Sequence, residues 1–409
     1  MRLHPPRRVL HAYNLHRGGG GADNATHATI AVLRDAGIEV DEFVRDSSSL
    51  GDGLGAKLRA FADGLYARDA IRAFIAQLNA KRPELVHVHE LYPLISPWVL
   101  PECSRRGIPV VMSVYDYRLT CPTHNHYFDG QVCQRCTTEG EWACVRQNCR
   151  GSRAESLAFA LRNTVARRAR LFTDHVSCFV TPTRFTADWL VRQAGVAADA
   201  VRVLPCMIEL PAAPVDDPAA GRYIAFAGRF VPEKGADIAI AAARRAGVPL
   251  WLAGDRHQSL EGLASDDAVR YLVTHDRAEL AAFYRGARAF VMPSIWFESF
   301  GIVVGEAMSH GIPVLASRIG ALAETTLDEQ TGLLFEPGDV DGLARAMRRL
   351  WDDAELVRQL GRGGRAHIER QSSRAAHQRM LLDIYANVLA GHGDAVRTLP
   401  PSAGPLIRG

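Results

Sequence analysis

Lysine is nearly absent from this chain. Of the 48 basic residues among 409, only Lys57, Lys81 and Lys234 are lysines, so a lysine inside a Gly-rich segment stands out. Long hydrophobic runs are missing as well: none approaches the roughly 18 apolar residues that a membrane-spanning helix needs. The opening segment, MRLHPPRRVLHAYNLHRGGGG, lacks an apolar stretch of the signal-peptide kind, which gives a cytoplasmic location as the expectation. Net charge is only +3, too small for a global field to point to a partner. With 47% hydrophobic and 23% charged residues, the composition excludes a disordered or collagen-like chain. At about 150 residues per domain, the length suggests two to three domains.

Five of the eight cysteines fall between Cys121 and Cys149. A reducing compartment disfavours structural disulfides, so the cluster reads as metal-binding or as reduced thiols.

Short apolar runs alternate with helical patterns along the first half. Val9–Tyr13 reads as a strand, followed by the turn Gly18-Gly19-Gly20-Gly21. A helix is expected over Asp23–Ala36, with Asp23 as N-cap and Gly37 as stop. Val40–Val44, Val86–His89, Val110–Val114, Val176–Thr181 and Val201–Leu204 read as further strands, residues 57–80 as one long helix, and about 153–172 as a basic helix. The segment ELPAAPVDDPAAGR, 209–222, has three prolines and little periodicity and reads as a linker. Beyond it the alternation restarts. Tyr223–Ala227, Leu250–Ala253, Arg270–Val273, Ala289–Met292, Pro313–Ala316 and Gly332–Phe335 read as strands, and three helices precede a Pro/Gly tail at 394–409. Two doubly wound α/β domains follow, with a ligand cleft between them at the carboxyl ends of the strands. The expected boundaries are 1–208, 209–222, 223–372 and a helix at 373–393 that returns to the first domain.

Three segments carry chemistry. In MPSIWFESFGIVVGEAMSHGIPVLAS, 292–317, a strand ends, a loop carries Glu298, and a helix starts near Gly301. The amides of Phe300, Gly301 and Ile302 would be helix-start donors that suit an anion. Glu298 can accept from sugar hydroxyls, and Glu306, two turns into the helix, from a ribose diol. In FAGRFVPEKGADIAI, 226–240, Arg229 and Lys234 could converge on a pyrophosphate. The Gly18–Gly21 turn would let backbone amides approach a phosphate or a sugar, although a flexible loop is as good a reading. Asp339-Val340-Asp341 follows Pro337-Gly338 and reads as a helix cap rather than a metal motif.

Taken together, the Gly-rich turn, PELVHVHELYPLISPWVL, GIPVVMSVYDYRLTC, GRFVPEKG and the Glu-x7-Glu segment resemble the retaining glycosyltransferases of family 4 over nearly the whole chain. The resemblance implies the GT-B fold, two facing Rossmann-like domains, the first for acceptor and the second for a nucleotide-diphosphate sugar. By the same resemblance, Arg229 and Lys234 hold the diphosphate, Glu298 contacts the donor sugar, and Glu306 the ribose. Gly228, Ser299, Phe300, Gly301, Ile302 and Val303 complete the donor site, and the Gly-rich loop lies near the phosphates and acceptor. Tyr115 stands where many members have a histidine. It can donate a hydrogen bond but carries no charge near neutral pH; His124 and His126 are the nearby histidines.

The resemblance extends to a subset from bacterial surface-polysaccharide pathways with a similar Cys-rich insert. It implies Cys121, Cys133, Cys136 and Cys149 as ligands of a structural zinc, with Cys144 extra. An iron–sulfur cluster and plain thiols are the alternatives. No cofactor is expected at the donor site. Residues 150–170, with six arginines and one glutamate, read either as a face for anionic lipid or as a solvated helix. The expected partners are a nucleotide-diphosphate sugar, a lipid-linked or growing glycan, and an anionic membrane surface; nucleic acid is not expected. The competing functions are an epimerase or phosphorylase on the same fold, and a zinc-dependent nucleic-acid-binding protein.

Overall fold

A computed structural model describes residues 4–398 apart from 17–19, 52, 213, 216, 255–267 and 273–275. The β-branched runs become strands, in the first sheet buried on both faces at its middle and half-exposed at its edges, Glu39–Asp46 and Val201–Val203. Those of the first domain are β1 (Arg8–Leu15), β2 (Glu39–Asp46), β3 (Leu85–Val88), β4 (Val110–Ser113), β7 (Cys178–Thr181) and β8 (Val201–Val203). They pair in parallel in the order β2-β1-β3-β4-β7-β8. Between β4 and β7 the Cys-rich insert forms a small antiparallel hairpin, β5 (Tyr127–Phe128) with β6 (Gln131–Val132), and two short helices, Arg135–Thr138 and Trp142–Arg146.

The second sheet contains β9 (Tyr223–Ala227), β10 (Leu250–Ala253), β11 (Val269–Leu272), β12 (Ala287–Met292), β13 (Val314–Ser317) and β14 (Gly332–Phe335). Its order, β11-β10-β9-β12-β13-β14, reverses direction between β9 and β12. That is the dinucleotide-fold order, with a switch point where loops diverge and leave a crevice. The first sheet reverses between β1 and β3, so its crevice lies beyond the carboxyl ends of those two strands. Asp339 does cap the helix Val340–Asp352, its carboxylate accepting from the Gly342 amide at 2.8 Å.

Local patterns and tertiary contacts disagree in three places. The helix expected over 57–80 is two, Leu54–Tyr66 and Arg68–Lys81. Ala67 breaks it, buried, with ψ of 77° and its amide turned to the Ser96 hydroxyl at 3.3 Å. No glycine or proline marks that break. The first helix begins at Gly21 rather than after Asp23. Asp23 is not its cap: its carboxylate reaches back to the His16 amide at 3.2 Å. Finally, the last helix, Arg374–Thr398, continues into the segment read as a tail. Leu381, Ile384 and Tyr385 from this helix pack with Val9, Leu33 and Leu85 of the first domain, so the chain's end crosses back. None of the described helices is long and apolar enough to cross a membrane.

Candidate functional site

At the switch point of the second domain, the loop after β9 meets the loop after β12. Gly235, in the left-handed region at φ 68°, makes this approach possible: a Cβ there would lie 2.2 Å from the Pro293 carbonyl oxygen. The Ile295 amide also donates to the Glu233 carbonyl at 3.0 Å. Lys234 is thereby carried to Glu298.

Glu298 is buried, and its Oε1 accepts three hydrogen bonds: Lys234 Nζ at 2.6 Å, Ser294 Oγ at 2.8 Å and Trp296 Nε1 at 2.8 Å. A buried carboxylate without such partners would be strongly disfavoured. Oε2 accepts from no described residue. Lys234 Nζ also lies 5.3 Å from the centroid of the Trp296 ring, which adds a cation–π contact. Arg229 stands apart, exposed and unpaired among the described residues.

Gly301 turns the chain into the helix Ile302–Ser309 from a left-handed conformation, φ 82°. The amides of Phe300, Gly301, Ile302 and Val303 donate to no other described group. They therefore remain available to an anion. Deeper on that helix, Glu306 accepts from the Tyr284 hydroxyl at 3.0 Å. Burial, followed by Glu306, holds that phenol well above its usual pKa. Glu306 lines a cavity of about 510 Å³ between the domains, with Asn24, Ala25, Ile208, Tyr284 and Ile302. Glu298 does not line it, so the two carboxylates serve different compartments.

The Gly-rich turn ends against the same helix: a Cβ on Gly21 would lie 3.2 Å from Ile302 Cδ1. Gly20 is open, and Gly18 and Gly19 lie outside the described residues. Tyr115 does not join this turn. Its ring stacks on His89, centroids 6.0 Å apart, and its hydroxyl lies 3.5 Å from His89 Nδ1. Burial raises its phenol pKa, so it stays neutral there. His124 lies 3.9 Å from Asp116, and His126 belongs to the insert.

Residues that the sequence did not single out lie together in the first domain. Glu90 is buried with Arg118 and lies 3.6 Å from His16, whose pKa the Glu90 hydrogen bond raises. Arg118 also clamps Asp116, Nε to Oδ1 at 2.9 Å and Nη2 to Oδ2 at 2.6 Å. Burial works against that carboxylate, but Arg118 holds it down to about 2. The string VHVHE, with its polar residues at the end of a buried strand, was the available signal.

All eight cysteines are free thiols. Burial, then its neighbours Cys121, Cys149 and Cys133, push the Cys136 thiol up to about 12. Cys144 is buried, and its thiol beside Cys149 brings the Cys149 pKa down to about 7. The one described group with all ligand atoms within 4.8 Å of one another is instead His11, His87 and His89. His87 and His89 stack 4.2 Å apart, His11 is tilted against His87, and five of the six nitrogens are engaged with one another, Ser113, Tyr385 and Tyr115; His11 Nε2 has no partner among the described residues. With most of its nitrogens already taken by hydrogen bonds, this reads as a packed core set.

The basic helix is Arg153–Arg168. Arg162 is not on an open face: it lies 4.0 Å over the Tyr92 ring, and burial brings its pKa down to about 10. Arg167 pairs with Glu141 at 2.6 and 2.8 Å. Arg153 and Arg168 are exposed and unpaired among the described residues, and Leu157 between them is 42% exposed.

This arrangement agrees with what the chain is similar to. Residues 20–207 match the "Glycosyl transferase 4-like domain" and residues 215–367 the "Glycosyl transferases group 1" family. A D-inositol 3-phosphate glycosyltransferase of Saccharomonospora viridis is 34% identical over 52% of this chain and 56% of its own length, so the chain spans about half of that relative. Among solved structures, sucrose-phosphate synthase from Thermosynechococcus elongatus superposes with a TM-score of 0.70 at 23% identity, covering 94% of this chain and 100% of that one. Anabaena HepE in complex with UDP-glucose gives 0.60 at 16%, covering 96% and 100%. Two matched domains that together span most of the chain, folded as two facing parallel-sheet units, make this protein a member of the group 1, family 4-like glycosyltransferases of GT-B fold.

Proposed function

We propose that the protein transfers a sugar, with retention, from a nucleotide-diphosphate sugar to a lipid-linked or growing glycan acceptor, in cell-surface polysaccharide synthesis. Residues 223–372 would bind the donor and residues 1–208 the acceptor. The carrying observation is the convergence of Lys234, the one-sidedly held Glu298 and the unpaired amides of Phe300–Val303 at one switch point, with Arg229 exposed on the same loop as Lys234.

Each part has a task. The cavity at Glu306 takes the nucleoside, with the carboxylate on the ribose diol. Arg229, Lys234 and the helix-start amides take the diphosphate. Oε2 of Glu298 takes a hydroxyl of the sugar. As the anomeric C–O bond breaks, its electrons pass to the leaving phosphate, where those same donors stabilise the growing charge. The acceptor oxygen bonds to the anomeric carbon on the face just vacated and loses its proton to the leaving phosphate. Lys234 and Arg229 supply the charge a divalent ion would otherwise bring, so transfer should continue in excess EDTA. The relative solved with UDP-glucose supports a nucleotide-sugar donor. The nucleic-acid-binding alternative leaves this whole site without a task.

The insert would hold one structural zinc through Cys121, Cys133, Cys136 and Cys149, which offer a full set of four thiolate donors from one insert and would draw together on the metal. The burial of Cys144 beside Cys149 makes it a competing fifth thiol. Elemental analysis of wild type, Cys136→Ser and Cys144→Ser tests this; wild type without zinc or iron leaves reduced thiols. The protein would work in the cytoplasm at the inner membrane face. Arg153, Leu157 and Arg168 share one helical face, at about 100° per residue, and are the residues for anionic lipid. Arg153→Gln with Arg168→Gln should abolish binding to phosphatidylglycerol vesicles at low salt. Indifference of the wild type to such vesicles overturns the membrane part.

A screen of nucleotide sugars by mass spectrometry, with and without EDTA, tests the main reading. Transfer or slow hydrolysis of one donor is expected. No turnover and no nucleoside diphosphate bound would refute it.

A further inference from the structure

The Cys-rich insert belongs to the first domain, yet its contacts run to the donor loop of the second. Phe297, next to Glu298, is received by three aromatic rings of the first domain. Its ring centroid lies 5.3 Å from Trp189, 5.4 Å from Phe185 and 6.3 Å from Tyr117. Cys121 of the insert packs in the same cluster. The loop backbone is held as well. The Tyr117 hydroxyl donates to the Glu298 carbonyl at 3.2 Å, and the Thr183 hydroxyl to the Ser299 carbonyl at 3.1 Å. In return, Glu324 of the second domain caps the helix Arg184–Gln193, accepting from the Arg184 and Phe185 amides at 2.9 Å each.

The insert braces this receptor from behind. His126 is buried, 4.8 Å from the Trp189 ring and 5.5 Å from Tyr117. Its Nδ1 lies 2.8 Å from the Cys133 carbonyl and its Nε2 2.8 Å from the Thr120 hydroxyl. The Thr120 oxygen in turn accepts from the Trp189 indole at 3.0 Å. With Nδ1–H donating to Cys133, Nε2 accepts the Thr120 proton, and one polarised chain links the insert's backbone to the wall that receives Phe297. The Thr120 hydroxyl also lies 3.1 Å from the Tyr117 carbonyl, so the insert, Trp189 and Tyr117 meet at one hydroxyl and a shift in the insert is felt at the wall.

We propose that the insert is a positioning brace for the donor loop: through His126, Thr120 and Trp189 it fixes the seat of Phe297, and so the place of the Glu298 carboxylate. Phe297, Tyr117 and His126 are then positioning residues that touch no substrate. The proposal rests on the reading of Glu298 as the donor-sugar carboxylate. It also gives the insert a task that neither the diphosphate nor the nucleoside subsite requires.

The experiment uses the full chain with Phe297→Ala, Tyr117→Phe, His126→Gln and the double variant Phe297→Ala/His126→Gln. Turnover is measured with whichever of UDP-glucose, GDP-mannose and ADP-glucose the wild type consumes, binding with the matching diphosphate, and hydrogen exchange on peptides spanning 293–301. Phe297→Ala should lower kcat on the order of a hundredfold, the cost of misplacing a reacting group by about 1 Å. His126→Gln should lower it about tenfold, with diphosphate Kd changed less than about threefold in either, since the loss is geometric. The double variant should be no slower than Phe297→Ala alone, because both act through one contact. Wild-type turnover in His126→Gln, or effects that multiply in the double variant, overturn the brace. Tyr117→Phe removes a single hydroxyl and guards against misfolding: it too should lower kcat without weakening the diphosphate, and an unchanged kcat counts against the proposal. If no donor is consumed, the donor reading fails by itself, and exchange still decides the brace. Faster exchange over 293–301 in both Phe297→Ala and His126→Gln supports it; unchanged exchange in His126→Gln overturns it.

Discussion

The central strand of the second domain, Tyr223–Ala227, buries five side chains without a charged or imidazole group among them. Its counterpart in the first domain, β1, buries His11 and Asn14, and neighbouring β3 buries His87, with His89 and Glu90 just beyond its end. The two sheets have the same parallel architecture and nearly the same winding. The second buries Arg288 in β12 and Ser317 in β13 but no imidazole in its strands, and its carboxylates Glu298 and Glu306 lie beyond them. The first stores imidazoles inside the sheet, where they pair with one another and with the helix packed on it. Parallel strands tolerate buried imidazoles when each finds a partner, as His87 does with Tyr385 and Ser113. The domain to which the donor chemistry is assigned in the proposal has no histidine in its strands, so on that reading imidazoles inside a sheet are a poor guide to function.

The sharpest way to test that contrast is at Glu298. Glu298→Gln should reduce transfer by about a hundredfold to a thousandfold, as loss of a preorganised electrostatic group does, while the free diphosphate still binds. Glu306→Ala should instead weaken nucleotide binding and spare kcat at saturation. Calorimetry with steady-state kinetics separates the two, and near-wild-type transfer by Glu298→Gln would sink the assignment.

Next in size is the difference between the two diphosphate cations. Lys234→Met leaves Glu298 buried without its counter-charge, which should cost about 3–5 kcal/mol of stability as well as diphosphate affinity. Arg229→Ala removes an exposed, unpaired group and should weaken diphosphate binding with the melting temperature unchanged. A denaturant titration of both variants distinguishes them; equal stability would mean that the ion pair contributes nothing.

The smallest effect is in pH. Burial holds His11 down to about 3 and lowers His87 and His89 well below the ordinary histidine value. An unfolded histidine titrates near about 6.5, so below that pH the unfolded chain takes up protons that the folded chain refuses. Their contribution is complete above the unfolded value and is lost as pH falls toward the folded ones. The second domain buries His310, held to about 4, and should show less of this loss. Hydrogen exchange at pH 7 and pH 5 should therefore show β1, β3 and β4 losing protection ahead of β9, β12 and β13. The reverse order would break the comparison.

Much of this was legible in the residues. The runs Tyr223–Ala227, Leu250–Ala253 and Gly332–Phe335 are strands with the bounds their apolar pattern suggested. A strand buried on both faces leaves an uninterrupted apolar signature. The Glu-x7-Glu spacing and the Gly-rich turns located both switch points, because only those residue types let backbone approach backbone, or an anion approach amides. Ala67 had no such mark. It ends a helix because Ser96, far away in sequence, takes its amide.

The sequence by itself determined the alternation of strand and helix, the two-domain plan, and which loops carry the carboxylates and cations. These depend on periodicity and on local backbone chemistry, which short segments contain in full. Only the tertiary structure decided that Lys234 meets Glu298, that Trp296 and Ser294 share its Oε1, that Arg162 lies over Tyr92 rather than on an open face, and that Phe297 seats among Tyr117, Phe185 and Trp189. Each of those joins residues from different loops or different domains. Such pairings follow from how the sheets wind and how the domains face each other, information that resides in no single segment of the chain.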